Sequence, residues 1–357
     1  MTPVVRRAID KNLPLAMLRV AIPFCFEVIF MNFKLNLDTP LDLFAFFLAI
    51  SVVFVNGFTD APNSIHSSVK AGALSLWRAL LTSGIFNFLG VGVSAFISFS
   101  VGKSVWALAD TKSGENGTVI VCACLITVIL VGILAWFFKM PSSESHALLF
   151  SLMGANFGAR QGASLDIGKI IFISFCMIIS TLVAYAFSRL LFALSAKRLK
   201  VRSGWLVLSC CALSFMHGVQ DGQKLLAIIL ILLDVNLSAT CAPPAFIVLT
   251  VAAVMGISTI FSGKRILSSI DKLSESTDAS GIFCADLAAF STLIICSFLG
   301  MPVSTGNVKS ASVFALEKVP SGQSKRVIMR IFLTSLITLP ISFFFGFIIC
   351  KLLLIIL

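Results

Sequence analysis

The sequence predicts an all-α polytopic membrane protein built from two inverted repeats with broken helices and paired helical hairpins. Three observations carry that expectation: an apolar composition arranged in spans of membrane-crossing length, polar motifs that recur at one offset, and basic residues gathered in alternate loops. Of 357 residues, 58% are hydrophobic and 12% charged, with a mean hydropathy of +1.03. Soluble domains do not carry this balance.

Crossing a ~30 Å hydrocarbon core takes roughly 20 apolar residues. Such stretches lie near 13–33, 41–58, 77–99, 118–138, 167–194, 205–233, 244–262, 282–299 and 329–355. Segments 141–158 and 302–316 are less apolar and open with Pro. The expected organisation is a basic N-terminal segment with a first membrane helix over 1–40, a first repeat over 41–194, a basic cytoplasmic linker over 195–204 and a second repeat over 205–357. Basic residues precede the first apolar run as in a signal peptide, but Arg19 and Glu27 interrupt it, so an uncleaved membrane segment is expected. The ten cysteines fall mostly inside apolar spans without metal-ligand spacing and read as small core residues.

The net charge of +11 does not form an aromatic-interleaved stripe, so nucleic acid is not an expected partner. The basic residues instead obey the positive-inside rule if 141–158 and 302–316 each achieve a net crossing. The cytoplasmic side then holds Arg6, Arg7, Lys11, Lys70, Arg78, Lys139, the 197–202 cluster, Lys264, Arg265, Lys272 and the basic 318–330 stretch. Only Lys34, Lys103, Lys112, Arg160, Lys169 and Lys351 remain opposite. In this threading an odd number of crossings separates matched motifs, which makes the repeats inverted. Compactness and the lack of a large loop between halves point to a bacterial inner membrane.

Two polar motifs recur at one offset. Asn56-Gly57-Phe58-Thr59-Asp60-Ala61-Pro62-Asn63 aligns without gaps on His217-Gly218-Val219-Gln220-Asp221-Gly222-Gln223-Lys224, an offset of 161 (217 − 56). Met140-Pro141-Ser142-Ser143-Glu144-Ser145-His146 aligns on Met301-Pro302-Val303-Ser304-Thr305-Gly306-Asn307 at the same offset. Each motif sets polar groups inside apolar sequence, where an unpaired one costs ~2–7 kcal/mol. A single Ser could simply bond back to its own helix; duplicated Asp and Ser motifs instead mark an ion or substrate path.

The Pro/Ser segments suit an oxyanion. Pro141 and Pro302 are placed to begin half-helices, whose N-termini offer free N–H groups and a positive dipole end. Ser142, Ser143, Ser145, Ser304 and Thr305 then fall in those first turns as substrate-binding candidates. The acidic motifs suit the opposite partner. Asp60 and Asp221, with the amides of Asn56 and Asn63, are candidates for the coupling ion, each beside a Gly able to open the backbone. A bound Na⁺, or a proton in its place, would offset the anion's charge, and sequence does not choose between them. Lys224 could instead neutralise Asp221 internally.

At these residues the chain resembles the inorganic phosphate transporter (PiT) family of sodium- or proton-coupled symporters, over roughly 41–316. The matches are Asn56-Gly57-Phe58 with Asp60 and Asn63; Phe86-Asn87-Phe88-Leu89-Gly90; Pro141 to Ala147; and, in the second half, His217-Gly218, Asp221-Gly222-Gln223-Lys224, Gly256 with Thr259, Gly263 with Arg265, Gly281 to Phe283, Ala285-Asp286 and Pro302 to Thr305. The resemblance implies a central phosphate site, with Gln223 among its ligands, coupling ions near the two Asp motifs, and no organic cofactor. The sequence departs from the family at Gln220, where Asn is usual, at Glu144 for Ser or Thr, at Gly306-Asn307 for Thr-His and at Asp286 for Glu. Glu144 sets a negative charge by the proposed anion site, so it is expected to be protonated, turned away or paired with a cation such as Lys309.

His146, with Glu144, is a candidate for proton handling or gating, the alternative being a packed membrane histidine. Asn87 reads equally as interhelical glue or as a ligand. The expected function is cation-coupled symport of inorganic phosphate. A symporter of sulfate or another oxyanion is the close alternative, and a non-transporting receptor or a membrane-embedded enzyme the distant one. No HExxH, GxSxG or recognised nucleophile–base spacing is present, so no enzymatic activity is expected. Beyond phosphate and lipid, a homodimer is compatible with the sequence.

Overall fold

The computed structural model describes residues 37–108, 117–137, 143–159, 167–195, 200–235, 243–262, 278–316 and 322–357. The expected first membrane helix near 13–33, and Pro141 and Ser142, lie outside them. Twelve α-helices are described: α1 (Pro40–Lys70), α2 (Leu76–Ile97), α3 (Ser100–Trp106), α4 (Gly117–Phe137), α5 (Glu144–Ala159), α6 (Ile167–Ser195), α7 (Ser203–His217), α8 (Gln223–Leu232), α9 (Ala245–Ile260), α10 (Ala279–Phe298), α11 (Thr305–Phe314) and α12 (Gly322–Ile356). A single π-helical turn, Gly218–Gly222, joins α7 to α8. No strand occurs among the described residues.

Among the described residues, six helices are long and apolar enough to span a bilayer. Their outer faces carry large apolar side chains such as Phe47 (62% exposed), Phe172 (54%) and Phe344 (60%), while Asn87, Gln220 and Asp286 are fully buried. That distribution is adverse in water and favourable in lipid, where polar groups must find partners inside the protein. The chain is a multi-pass integral membrane protein.

The 161-residue offset organises the whole fold. Shifted by it, α1 falls on α7, the π turn and α8; α2 on α9; α4 on α10; α5 on α11; and α6 on α12. The packing follows the same exchange. Helix α1 packs on α9 as α7 packs on α2, and α5 packs on α12 as α11 packs on α6. Likewise α4 meets α5 and α12, while α10 meets α11 and α6. The two repeats are therefore related by a pseudo-twofold exchange, each burying its apolar faces largely against the other.

Local chemistry fixes the helix starts. Thr39 and Asp42 form a capping box at the head of α1, with Asp42 N donating to Thr39 Oγ1 (3.2 Å) and Thr39 N to Asp42 Oδ2 (2.9 Å). Pro40 follows at the first helical position, where its missing N–H is harmless. Thr118 at the head of α4 donates to Asp42 Oδ1 (2.5 Å), tying two helix starts together.

The backbone opens at only one of the two Asp motifs. The second becomes the π turn, whereas α1 runs without a break through Gly57 and Asp60. The paired glycines serve close approach instead. A Cβ on Gly57 would lie 2.6 Å from Met255 O in α9, and one on Gly218 would lie 2.3 Å from Asn87 O in α2. Small residues let membrane helices touch at the backbone, and here they draw each Asp motif against the other repeat.

Candidate functional site

The heads of α5 and α11 meet at the pseudo-twofold. Ser143 and Ser304, 161 positions apart, are hydrogen-bonded through Ser143 Oγ donating to Ser304 Oγ at 3.0 Å. Each serine also accepts from the amide three residues on, His146 N to Ser143 Oγ and Asn307 N to Ser304 Oγ, both at 3.4 Å. Both are therefore N-cap residues rather than first-turn residues. Contrary to the expectation from sequence, Pro302 lies in the extended lead-in to α11 and does not begin the helix, because Ser304 takes the cap position. The Ser143 hydroxyl proton is engaged by its mate, whereas no acceptor for the Ser304 proton occurs among the described residues. Two positive helix ends and this hydroxyl converge at one place.

Around that point lie Asp60, Glu144 and Asp221. Asp221 is buried and heavily bonded. Lys224 Nζ reaches its Oδ1 at 2.5 Å, Ser145 Oγ donates to the same oxygen (3.1 Å) and Thr305 Oγ1 donates to Oδ2 (2.9 Å). The ammonium of Lys224 also reaches Ser145 Oγ (2.9 Å) and Val303 O (2.5 Å), which accounts for its three protons. The internal neutralisation of Asp221 is thus observed. The hydroxyls of Ser145 and Thr305, expected to face substrate, serve this carboxylate in the present arrangement.

Glu144 is neither turned away nor paired with Lys309. Its carboxylate accepts from Asn56 Nδ2 (3.0 Å) and Thr59 Oγ1 (2.8 Å), both on α1, while Lys309 pairs with Asp286. Glu144 at the head of α5 and Thr305 at the head of α11 are mates at the offset, and each bonds to an Asp motif: Glu144 accepts from Thr59, the neighbour of Asp60, and Thr305 donates to Asp221 itself. Asp60 has no hydrogen bond described; its Oδ2 stands 3.9 Å from His217 Nε2.

His217 shows how the carboxylates are arranged. Thr259 Oγ1 donates to Met255 O (2.9 Å) and accepts from Asn87 Nδ2 (2.8 Å). The Asn87 carbonyl oxygen then faces His217 Nδ1 at 3.0 Å, which assigns the Nδ1 proton as donor. In the neutral ring Nε2 consequently presents a lone pair to Asp221 Oδ2 at 3.3 Å and to Asp60. Nε2 is buried without a hydrogen-bond partner, and so is Asn56 Oδ1, at the mate position of His217. Lone pairs facing carboxylates repel unless a proton or a metal cation lies among them. Ligand atoms of Asp60, His217 and Asp221 all fall within 4.8 Å of one another. This donor set fits a small cation, and Asn56, one helical turn before Asp60 on α1, carries a further unpartnered buried oxygen.

Three sequence candidates lie elsewhere. Gln223 accepts from Gly102 N and donates to Ser98 O, both at 3.1 Å, so its amide anchors the backbone leading into α3 and does not enter the cluster. Asn63 has its amide against the first turn of α11, 3.2 Å from where a Cβ on Gly306 would sit. His146 lines an apolar cavity of about 330 Å³ with its mate Asn307 and with Tyr185 and Ser335, apart from the carboxylates. Conversely, Asn87, His217 and Thr59 join the site more closely than expected from sequence. Gln220, one of the departures, holds the α11 lead-in by donating to Met301 O (3.4 Å) and accepting from Val303 N (3.4 Å).

Comparison with known proteins agrees with this architecture. The "Phosphate transporter family" model matches twice, over residues 56–203 and 195–346, so the matches meet in the segment between the repeats. A "Probable low-affinity inorganic phosphate transporter" of Bacillus subtilis is 28% identical over 317 residues, covering 84% of this chain and 92% of that protein. Its namesake in Rhizobium meliloti is 29% identical over 296 residues, covering 78% and 84%. A solved structure, "The sodium-dependent phosphate transporter", shares the fold with a TM-score of 0.76 at 16% identity, covering 89% of this chain and 100% of that one. With two matches that together span most of its length, the chain belongs to the phosphate transporter family.

Proposed function

We propose that the chain is a cation-coupled symporter of inorganic phosphate that works by alternating access of its two repeats. The observation that carries this reading is the meeting of two helix N-termini at Ser143 and Ser304 beside a carboxylate cluster with unpartnered lone pairs. The first feature suits a tetrahedral anion; the second suits its counter-ion.

Charge balance couples the two. Asp60, Glu144 and Asp221 face one lysine, Lys224, already engaged with Asp221. A phosphate about 5 Å from one unneutralised carboxylate meets a repulsion of about 3 kcal/mol per charge pair at an effective dielectric of about 20. That is roughly a hundredfold or more in affinity. A cation among Asp60, His217, Asp221 and the Asn56 oxygen removes the penalty, so anion and cation favour each other's binding. Oxygen-rich donors suit Na⁺, and the His217 lone pair suits a proton.

The test is uptake of labelled phosphate into proteoliposomes with Na⁺ and pH gradients imposed separately and sulfate as competitor. The expected result is phosphate accumulation driven by one gradient and resistant to sulfate. A preference for sulfate, or uptake that follows neither gradient, would contradict the reading.

A further inference from the structure

The helices of the two repeats correspond in order at the offset of 161, so buried positions where mates differ in chemistry point to functions that only one repeat performs. One such set is a second buried polar cluster away from the carboxylates described above. Lys309 of α11 pairs with Asp286 of α10 and also reaches Ser67 Oγ of α1 at 3.0 Å. Asp286 accepts from Ser67 Oγ (2.6 Å) and from Ser209 Oγ of α7 (2.5 Å). All four side chains are buried, and four helices from both repeats contribute one each.

At the offset of 161, Lys309 corresponds to Leu148, Asp286 to Leu125, Ser67 to Ile228 and Ser209 to Leu48. Every polar member is replaced by an aliphatic one. Leu125, Leu148 and Ile228 belong to one apolar core cluster against which Leu48 packs. On α1 the two sets stand on either side of Asp60: Ser67 near Lys70, and Leu48 near Pro40. Their separation along that helix is about 28 Å at 1.5 Å per residue, close to the thickness of a bilayer core. Each set also lies one turn beyond a hairpin head, Lys309 after Thr305 and Leu148 after Glu144.

We propose that Lys309, Asp286, Ser67 and Ser209 form an ionic latch across one of the two routes to the central site, whereas Leu48, Leu125, Leu148 and Ile228 form an apolar plug across the other. The proposal rests on the transport reading above. The latch lies at the end of the bundle whose sequence carries Lys70, Arg78, Lys200 and Arg202, the side expected to be cytoplasmic. Its chemistry differs from the plug in one consequence. Separating a buried pair is unfavourable unless each charge finds a replacement, and an oxyanion leaving the hairpin heads supplies one for Lys309. The ionic route therefore opens in step with anion passage, and Lys309 is a positioning residue of the path. The apolar route needs no such exchange.

Native cysteines report on the latch. Cys210, beside Ser209, is fully buried. In proteoliposomes, a membrane-impermeant maleimide with peptide mass spectrometry should show Cys210 alkylated at least about fivefold faster when phosphate and the coupling cation are supplied, because turnover populates the open route. Asp286→Leu/Lys309→Leu gives the latch the residues of the plug without leaving a lone buried charge. It should keep equilibrium phosphate binding, lose uptake by at least about tenfold and leave Cys210 protected. Ser67→Ala/Ser209→Ala keeps the charges and should speed Cys210 alkylation without substrate, a check independent of how the Leu pair folds. Uptake by the Leu pair within about twofold of wild type, or Cys210 alkylation indifferent to substrate in a transporting protein, would overturn the latch. A wild type that takes up sulfate instead of phosphate would overturn the phosphate reading alone, the latch then being judged by the same readout with sulfate. A wild type that accumulates neither anion would overturn both.

Discussion

Removing the Lys224 ammonium while keeping Asp221 should be among the most damaging single changes at the site. Lys224→Met preserves length and helix propensity but deletes three contacts, to Asp221 Oδ1, Ser145 Oγ and Val303 O. Asp221 keeps the hydroxyls of Ser145 and Thr305, yet its charge loses its ion-pair partner inside the membrane protein. Breaking a buried pair from one side typically costs about 3–5 kcal/mol, whereas replacing both partners with neutral groups is often close to neutral. The double variant Asp221→Asn/Lys224→Met should therefore be destabilised much less than the sum of the singles. Independent sites add to within about 0.5 kcal/mol, so a coupling energy of about 2 kcal/mol or more is expected here. The assay is equilibrium unfolding of the purified protein in mixed micelles titrated with a denaturing detergent. Additive singles, with coupling below about 0.5 kcal/mol, would refute the view that Lys224 serves Asp221.

Other changes separate roles within the site. Asp60→Asn should leave membrane insertion intact but lower gradient-driven uptake by at least about tenfold, since the cation loses its most accessible carboxylate; normal uptake with unchanged ion dependence would count against that assignment. Glu144→Ser removes a negative charge held by Asn56 and Thr59 and should shift the pH profile of uptake. An unchanged profile would make Glu144 a structural substitution. Gly218→Ala places a methyl 2.3 Å from Asn87 O and should destabilise by about 1–3 kcal/mol. Gly92→Ala meets nothing within 4 Å and serves as the control in the same unfolding assay.

Much of the fold was legible because duplication multiplies weak signals. A Gly before an Asp, or a Pro before serines, says little alone, but both recur at 161 residues and the helices follow. The hairpin serines were readable as candidates for the same reason, but the direct bond between mates Ser143 and Ser304 was not. Long-range pairing was not readable. Asp286 meets Ser67 from 219 residues away and Ser209 from 77, and nothing local to Lys309 distinguishes Asp286 from Glu144 as its partner. The role of His217 depends on proton direction along Thr259 and Asn87, which only three-dimensional neighbours define. Gln223 misled because, two residues after Asp221, its amide turns to the backbone at the start of α3. The expected break at Gly57 failed because close packing against α9 explains that glycine without opening the helix.

In the proposed function, one site binds anion and cation interdependently. Calorimetric titration of phosphate into the purified protein, repeated across Na⁺ concentrations and pH, measures it directly. Phosphate affinity is expected to rise by about a hundredfold as the coupling cation saturates, with cation affinity rising equally when phosphate is present. Phosphate binding of the same strength with and without Na⁺ and at every pH would contradict it.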